Sequence, residues 1–293
     1  MIKRSILRYL VISWIVVSGC RAAGTAMMMA GETSGSAELA AAGKSIQQAT
    51  REFTEEEKYY VGRTVAANLL ARSQPVRYPL LVNYVNAIGS TIVSVSPIPE
   101  TFRGWRFVVL DANDQRNAFS TPGGFVFMTS GLLKTLQSED ELAAVFAHEI
   151  AHVGLDHPMG AISASHQRDA IAKMARLGLK TAGQESREVK ALTGVFDAVV
   201  GDVMKAVANG YSQDKEGDAD RLAVDLLQQS GYSPRALVDV LKRIEGDTTT
   251  HGSPAERAAA VEKVIQEANA TVGIEPIRTK RFVGVTQRAF GAP

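Results

Sequence analysis

Residues 138–153 read SEDELAAVFAHEIAHV. A serine followed three positions later by a glutamate is a capping box, which predicts that a helix begins at this point. Behind the box nearly every position is apolar, and a helix that is apolar on all sides is normally buried in a core. His148, Glu149 and His152 interrupt this apolar run. Polar groups in a core need partners, so these three side chains are the first candidates for a functional site.

The spacing of the two histidines predicts a metal site. Two imidazoles at positions i and i+4 of a helix project from one face about one turn apart, which suits two ligands of a single Zn²⁺. Glu149 follows the first histidine and can reach a water on the metal without binding the metal itself, so it is the candidate general base of a hydrolase. A solvated helix face that carries these residues by chance is the alternative, and the apolar flanking positions disfavour it.

A catalytic zinc needs a third protein ligand and an open fourth position. The candidates lie in residues 212–220, SQDKEGDAD, where Ser212 predicts the start of another helix. Glu216 and Asp220 are four positions apart and share a helix face, so one could bind the metal while the other accepts a hydrogen bond from a ligating histidine. Spacing alone leaves Glu216, Asp218 and Asp220 open as the ligand.

The two motifs together, HEIAH and the E-x-x-A-D of residues 216–220, resemble the zinc metallopeptidase family of the CAAX prenyl proteases and HtpX-like heat-shock peptidases. The likeness covers roughly residues 54–265 and is strongest with the periplasmic lipoprotein branch, whose members tend outer-membrane barrel assembly. The resemblance implies that Glu216 is the third ligand of one Zn²⁺ per chain. It also implies that Asp220 supports the metal site as a second carboxylate behind a ligand.

The remaining pattern predicts an α+β fold that is predominantly helical. Thr54 opens a capping box for a helix to about Arg72, and a second helix with apolar residues at helical spacing follows Pro79. The period then changes, and we expect short strands at residues 105–110, 117–120 and 125–129. The resemblance implies a gluzincin-type metallopeptidase domain with this small β-sheet beside the HExxH helix.

Asn117, Ala118 and Phe119 lie on one of these strands and are candidate substrate-binding residues. A peptidase must hold its substrate extended, and an exposed strand edge does this by pairing with the substrate backbone. We therefore hypothesise that this edge binds substrate beside the zinc. An ordinary edge strand without a binding role is the alternative.

His251 is a further candidate catalytic residue, and three interpretations of it stay open. Residues 253–256, SPAE, form a capping box with proline at the first helical position, so His251 lies just before a helix. The histidine could donate a hydrogen bond to the developing oxyanion. It could occupy the open metal position and keep the enzyme latent, which the resemblance implies for part of the family. It could also be an ordinary surface histidine.

The N-terminus predicts export and lipidation. Three basic residues precede the short apolar run of residues 10–17, which has the layout of a secretory signal and is too short to span a bilayer. The run ends in VSGC at residues 17–20, which resembles the bacterial lipobox, and Cys20 is the only cysteine in the chain. We therefore expect a lipid on Cys20. A lone buried cysteine behind an ordinary signal peptide is the alternative.

The expected organisation has four parts: a lipoprotein signal peptide at residues 1–19, a flexible tether from the lipidated Cys20 at residues 20–52, a zinc metallopeptidase domain at residues 53–270 and a C-terminal tail at residues 271–293. Loss of the leader removes its three basic residues and changes the net charge from +1 to −2. The remainder carries no basic stripe, so nucleic acid is not an expected partner.

Together these features predict a zinc-dependent endopeptidase of the bacterial cell envelope, lipid-anchored on the periplasmic side. The resemblance implies misfolded or stalled envelope proteins as substrates and the outer-membrane barrel assembly machinery as a partner. Arg21, rather than an aspartate, follows Cys20, which favours the outer membrane over the inner one. The alternative is a lipid-anchored chaperone or outer-membrane assembly factor with little proteolytic activity. Glu149 disfavours it, because a scaffold has no need of a general base.

Overall fold

The structure is a computed structural model that describes residues 53–162, 187–244 and 251–291, together with a few positions between residues 29 and 35. The predicted signal peptide and Cys20 lie outside the described residues, as does most of the predicted tether. The chain divides into two compact units, Glu55–Ala161 with Val200–Pro293, and Met1–Thr54 with Ile162–Val199. Within the described residues, none of the helices combines the length and the apolar character that crossing a membrane requires.

The described residues form a mostly helical fold with one small sheet. The helices are α1 (Glu55–Leu70), α2 (Pro79–Val93), α3 (Ser130–Thr135), α4 (Glu139–Gly154), α5 (Arg187–Asn209), α6 (Gln213–Ser230), α7 (Arg235–Arg243), α8 (Pro254–Glu267) and α9 (Pro276–Phe290), with a short 3₁₀ turn at Met159–Ala161. The strands are β1 (Arg106–Leu110), β2 (Ala118–Thr121) and β3 (Phe125–Thr129). This is the predicted α+β fold, and the three strands lie within one residue of their predicted ends.

The three strands form a sheet of order β1-β3-β2. β1 runs parallel to β3, with Arg106 opposite Phe125, and β2 runs antiparallel to β3, with Ala118 opposite Met128. The β2–β3 hairpin turns through Pro122, Gly123 and Gly124, and the two glycines have φ angles of 75° and 89°. A side chain at Gly123 would also meet the backbone of Tyr59 on α1, because a Cβ there would lie 2.6 Å from the Tyr59 Cα. The turn therefore needs glycine for both its conformation and its packing.

Helix α4 lies at the centre of the core of the larger unit. Every residue from Glu139 to Val153 is buried, and the helix packs against α2, α6, α7 and the sheet. Phe146 on α4 contacts Phe107 on β1, with ring centroids 4.9 Å apart. Gly89 on α2 makes room for Phe107, since a Cβ at that position would lie 2.3 Å from the ring. The helix that carries the candidate site is thus held from several sides by close-packed neighbours.

The first turn of α4 carries three buried carboxylates, on Glu139, Asp140 and Glu141. Ser138 Oγ accepts a hydrogen bond from the Glu141 N–H at 3.2 Å, so the predicted N-cap forms, while the Glu141 carboxylate accepts from the Gln137 N–H at 2.7 Å. Negative charge is favourable at a helix N-terminus because of the helix dipole. Carboxylates that are buried to this degree nevertheless need cations or hydrogen-bond donors as partners.

The partners of the Glu139 carboxylate come from residues far away in the sequence. Glu139 pairs with Arg281 and accepts hydrogen bonds from the Tyr84 hydroxyl at 2.8 Å and the Tyr232 hydroxyl at 3.2 Å. Arg281 lies on α9, which packs against α2 and α4. This helix falls in the segment that the sequence analysis treated as a C-terminal tail.

The other two carboxylates also have arginine partners. Asp140 accepts a hydrogen bond from the Ser233 N–H at 2.9 Å, and its Oδ2 lies 3.1 Å from Nε of Arg278 on α9. Glu141 pairs with Arg243 at the end of α7. Helices α7 and α9 therefore fix the N-terminal turn of α4 through arginines that pair with its buried carboxylates, and these pairs orient the helix that carries the candidate site.

Candidate active site

The two histidines of the motif point their Nε2 atoms at each other from the C-terminal half of α4. These atoms lie 3.0 Å apart, and both rings are almost fully buried. The i, i+4 spacing on a regular helix accounts for this arrangement. Since each Nε2 faces a nitrogen of the other ring, the pair is built to share a cation.

Glu216 joins the two histidines from the first turn of α6. Its Oε2 lies 3.3 Å from His148 Nε2, and its Oε1 lies 3.6 Å from His152 Nε2. A tetrahedral zinc with bonds of about 2.0–2.1 Å separates neighbouring donor atoms by roughly 3.3 Å. The donor atoms of these residues therefore fit a zinc ion in number, chemical type and spacing. His251 offers a fourth donor, and one donor atom from each of the four lies within 4.8 Å of the others.

The electrostatics of Glu216 and His152 suit a cation. Burial raises the pKa of the Glu216 carboxyl, but hydrogen bonds from His148, His152 and His251 outweigh it and hold that pKa well below its ordinary value. Burial lowers the pKa of His152 well below its ordinary value. An ionised carboxylate and a neutral imidazole are the forms that bind a metal. Burial and the charge of Arg257 lower the pKa of His148, but hydrogen bonds to Asp220 and Glu216 outweigh them and raise that pKa to about 9, so His148 must release a proton to bind a metal.

Asp220 lies one turn beyond Glu216 and contacts the other nitrogen of His148. The Asp220 Oδ1 is 3.0 Å from His148 Nδ1, so the imidazole N–H can donate to the carboxylate and leave Nε2 free for a metal. Arg257 on α8 donates to both Asp220 oxygens, at 2.8 and 2.6 Å. Burial raises the pKa of Asp220, but the charge and hydrogen bonds of Arg257 outweigh it and hold that pKa at about 2. Nothing in the sequence spacing of Arg257 marks it as a partner of the site.

Asp218, which spacing left open as a ligand, does not reach this cluster. Its side chain is one-third exposed and pairs with Arg221 on the same helix. Glu216 by contrast has no exposed surface. The helical phase of α6 turns position 218 away from α4, whereas positions 216 and 220 share the face toward α4.

His251 lies against the metal cluster just before α8. Its Nδ1 is 3.1 Å from Glu216 Oε2, and its Nε2 is 3.3 Å from the Ala118 carbonyl oxygen and 4.0 Å from Glu149 Oε1. Arg257 donates to the His251 carbonyl oxygen at 3.1 Å. The His251 side chain is only 20% exposed, so it is not an ordinary surface histidine.

A pocket opens beside Glu149 and His148, and most of its wall is apolar. The helices α4 and α7 and the residue Leu132 supply this wall, while the β2 end of the sheet forms its rim. The apolar lining residues are Leu132, Val145, Leu237, Val240, Leu241 and Ile244, and the rim residues are Arg116, Asn117 and Ala118. The pocket can therefore receive an apolar group next to the carboxylate of Glu149.

The candidate substrate strand is at the edge of the sheet, as its place in the strand order requires. The backbone N–H and C=O of Asn117 point toward β3. The carbonyl accepts a hydrogen bond from the Thr129 N–H at 2.9 Å, and the N–H donates to Thr129 Oγ1 at 3.0 Å. Because backbone direction alternates along an antiparallel strand, the groups of Ala118 point away from β3. The residues of β2 are buried. His251 Nε2 lies within hydrogen-bond distance of the Ala118 carbonyl oxygen.

Two further side chains contact His152 on the side away from Glu216. His157 Nδ1 lies 2.8 Å from His152 Nδ1, and both rings are buried. The Tyr211 ring stacks on the His152 ring, with centroids 4.5 Å apart and an interplanar angle of 26°. Position 157 follows the motif helix, but neither its spacing nor that of Tyr211 marks a contact to the site in the sequence.

Comparison with known proteins agrees with the site. The family model described as peptidase family M48 matches residues 79–265. A beta-barrel assembly-enhancing protease of Yersinia pestis is 30% identical over 187 residues, which are 63% of this chain and 37% of that protein. Metalloprotease YcaL of Escherichia coli K12 is 32% identical over 48% of this chain and 55% of its own length. The mitochondrial metalloendopeptidase OMA1 of Schizosaccharomyces pombe is 28% identical over 67% of this chain and 56% of its own length.

The chain thus spans little more than a third of the length of the Yersinia pestis protein. The family match, however, covers well over half of this chain and includes His148, Glu149, His152 and Glu216. Three of them, His148, His152 and Glu216, belong with His251 to the cluster of side chains that could hold a metal ion. The chain therefore belongs to peptidase family M48, a family of metallopeptidases, as the two sequence motifs predicted.

Proposed function

We propose that this chain is a zinc-dependent endopeptidase that binds one Zn²⁺ through His148, His152 and Glu216. The observation that carries the proposal is the convergence of these three donors at 3.0–3.6 Å from two different helices. Two imidazoles and one carboxylate form a ligand set that catalytic zinc peptidases use, with a fourth position left for water or substrate. The OMA1 relative is named a metalloendopeptidase, which supports internal rather than terminal cleavage.

A zinc ion in this site would polarise the scissile carbonyl and lower the pKa of the attacking water. Glu149 is the general base, because it is buried beside His148 at the mouth of the pocket. Its carboxylate takes a proton from the water and returns it to the leaving amine. Asp220, held by Arg257, keeps the proton of His148 on Nδ1 and so keeps that ring oriented.

The substrate backbone would lie along the outer edge of the sheet, beside residues 117–119. Of these residues, Ala118 is the one whose backbone N–H and C=O point toward that edge. In the structure that edge is closed, because His251 Nε2 lies 3.3 Å from the Ala118 carbonyl oxygen. The same ring reaches Glu216. We infer that His251 covers the site in this state and must move for substrate to enter. This geometry favours the latency interpretation of His251 over the oxyanion interpretation.

The cellular setting is part of the proposal. We propose that the protein acts in the bacterial cell envelope, lipid-anchored through Cys20 on the periplasmic face of the outer membrane. Its substrates would be misfolded or stalled envelope proteins, including outer-membrane barrel subunits, and the barrel assembly machinery would be a partner. The support is the N-terminal lipobox-like sequence together with the name of the Yersinia pestis relative, a beta-barrel assembly-enhancing protease.

Digestion of an unfolded protein by the purified full chain tests the proposal. Cleavage should require zinc, stop on addition of a chelator and return when zinc is restored. Glu149→Gln should lower the rate by at least about 10²-fold while zinc stays bound, since general-base catalysis contributes this much. Glu267→Gln, at an exposed glutamate on α8, is the matched control.

Two outcomes would overturn the assignment. Cleavage that is insensitive to both the chelator and Glu149→Gln would exclude this site as the source of activity. A protein that binds zinc and prevents aggregation of the unfolded substrate, yet never cuts it, would favour the chaperone interpretation.

A further inference from the structure

The C-terminal end of α4 turns the chain back toward the metal cluster. The Asp156 N–H donates to the Val153 carbonyl at 3.0 Å, and the His157 N–H donates to the His152 carbonyl at 3.0 Å. Asp156 has a left-handed backbone, with φ of 58°. These bonds form a Schellman-type cap, in which glycine is the usual left-handed residue and aspartate is tolerated. The cap places His157 directly over the end of the helix that carries His152.

The His157 ring then meets the His152 ring at a defined atom. The two Nδ1 atoms lie 2.8 Å apart, and both residues are buried. Two nitrogens at this distance need one proton between them, with one ring donating and the other accepting. His152 Nε2 faces His148 and Glu216. If the Nε2 of His152 is to bind a metal, its proton must lie on Nδ1, and His157 Nδ1 must be the acceptor.

Tyr211 limits the remaining freedom of the His152 ring. The tyrosine stacks on the His152 ring at 4.5 Å between centroids and lies 5.8 Å from the ring of His157. The Lys215 ammonium lies over the Tyr211 ring, 5.6 Å from its centroid. The His152 ring is therefore held on its face by Tyr211 and at its Nδ1 edge by His157.

We propose that His157 is a positioning residue of the metal site, which accepts a hydrogen bond from the Nδ1–H of His152. This bond fixes the tautomer and the ring plane that leave His152 Nε2 available for zinc. The inference rests on the proposed zinc site and adds a residue to it. The two ligating histidines then have different supports: a carboxylate, Asp220, behind His148, and a neutral imidazole behind His152.

Zinc affinity of the full chain, measured by competition with a chelator, is the direct test. His157→Leu removes the acceptor but keeps a buried apolar side chain of similar size. We expect it to weaken zinc binding by about 10–100-fold, the usual effect of losing such a partner. His157→Asn restores an acceptor oxygen near the position of Nδ1 and should recover most of the affinity. Asp156→Gly keeps the left-handed cap and should leave the affinity unchanged, which makes it the matched control.

A second measurement on the unaltered protein does not depend on how the variants fold. Histidine ¹⁵N chemical shifts should show His152 protonated on Nδ1 and His157 protonated on Nε2. The reverse tautomers, or a folded His157→Leu variant that binds zinc as tightly as the unaltered chain, would overturn the inference. These results would leave the proposed zinc site intact. An unaltered chain that fails to bind zinc at all would instead refute the proposed function.

Discussion

Replacement of Arg278 by methionine should destabilise the fold because it removes the cation beside the buried Asp140. Asp140 has no exposed surface, and after the change its carboxylate keeps backbone N–H donors, chiefly that of Ser233 at 2.9 Å, but no cation from Arg278. Removing one partner of a buried ion pair costs about 3–5 kcal/mol. Arg278 also donates to the Gly231 carbonyl at 2.6 Å and the Gly273 carbonyl at 3.0 Å. Water can replace Arg278 at these carbonyls because they are closer to solvent, so their loss adds little. We therefore expect the free energy of unfolding to fall by about 3 kcal/mol, the lower end of that range.

Urea and thermal unfolding of the metal-free protein, followed by circular dichroism, measure this loss. A change of about 3 kcal/mol corresponds to a melting temperature lower by roughly 10 °C for a domain of this size. Arg288→Met is the matched control, since Arg288 is exposed on the same helix. Surface changes of that kind usually stay within about 0.5 kcal/mol. The double variant Asp140→Asn with Arg278→Met should regain much of the stability, because it leaves no unpaired charge.

The loss of stability in the Arg278→Met variant should become smaller as the pH is lowered. Burial raises the pKa of Asp140, while the Ser233 N–H and Arg278 oppose that rise. Without Arg278 the folded-state pKa rises further above the unfolded value, so the folded state binds a proton more tightly. Lowering the pH toward this raised folded-state pKa then neutralises the buried carboxyl, and the deficit of the variant should shrink. A deficit as small as that of Arg288→Met, or one that grows on acidification, would refute the role given to this ion pair.

Four other changes test separate parts of the structure. His251→Ala should raise the rate of unfolded-protein cleavage by uncovering the site, and a lower rate would instead assign His251 to the oxyanion. Tyr211→Phe should raise the free energy of unfolding by about 1 kcal/mol, because the buried hydroxyl has no hydrogen-bond partner among the described residues; a loss of stability would contradict this. Ala118→Pro should raise KM and leave zinc binding unchanged, since proline is tolerated where an edge-strand N–H points outward; unchanged kinetics would exclude this edge. Gly62→Ala should cost about 1–3 kcal/mol in thermal unfolding, because its Cβ would lie 1.7 Å from the Pro122 carbonyl oxygen, and a neutral result would mean that the turn can move.

Local patterns in the sequence are enough to predict the metal helix and its neighbours. The capping serine at position 138 and the apolar run behind it depend on contacts within one helix, so the start of α4 and its burial could be predicted. The same holds for the strands and for the helix start at Ser253, whose Oγ accepts from the Glu256 N–H. Glu216 needed the family resemblance in addition, because the spacing of α6 allows several carboxylates to face α4.

Partners that come from distant elements could not be predicted in this way. Arg257 and His157 contact the metal cluster, yet their positions depend on the packing of α8 and on the left-handed cap at Asp156. The capping box predicted only the start of the helix, whereas the burial of Glu139 and Asp140 and their pairing with arginines depend on α9. Contacts between elements far apart in the chain carry no periodic signal, so they become visible only in three dimensions.

The donors of the metal cluster come from two helices that are made at different times during synthesis. Helix α4 supplies His148 and His152, while Glu216 arrives later with α6 and Arg257 later still with α8. A partly synthesised chain that ends after α4 offers only two donors, which is too few for a catalytic zinc site. Metal binding then contributes directly to the free energy of completing the fold. A chain that ends before α6 therefore lacks the ligand that completes the proposed zinc site.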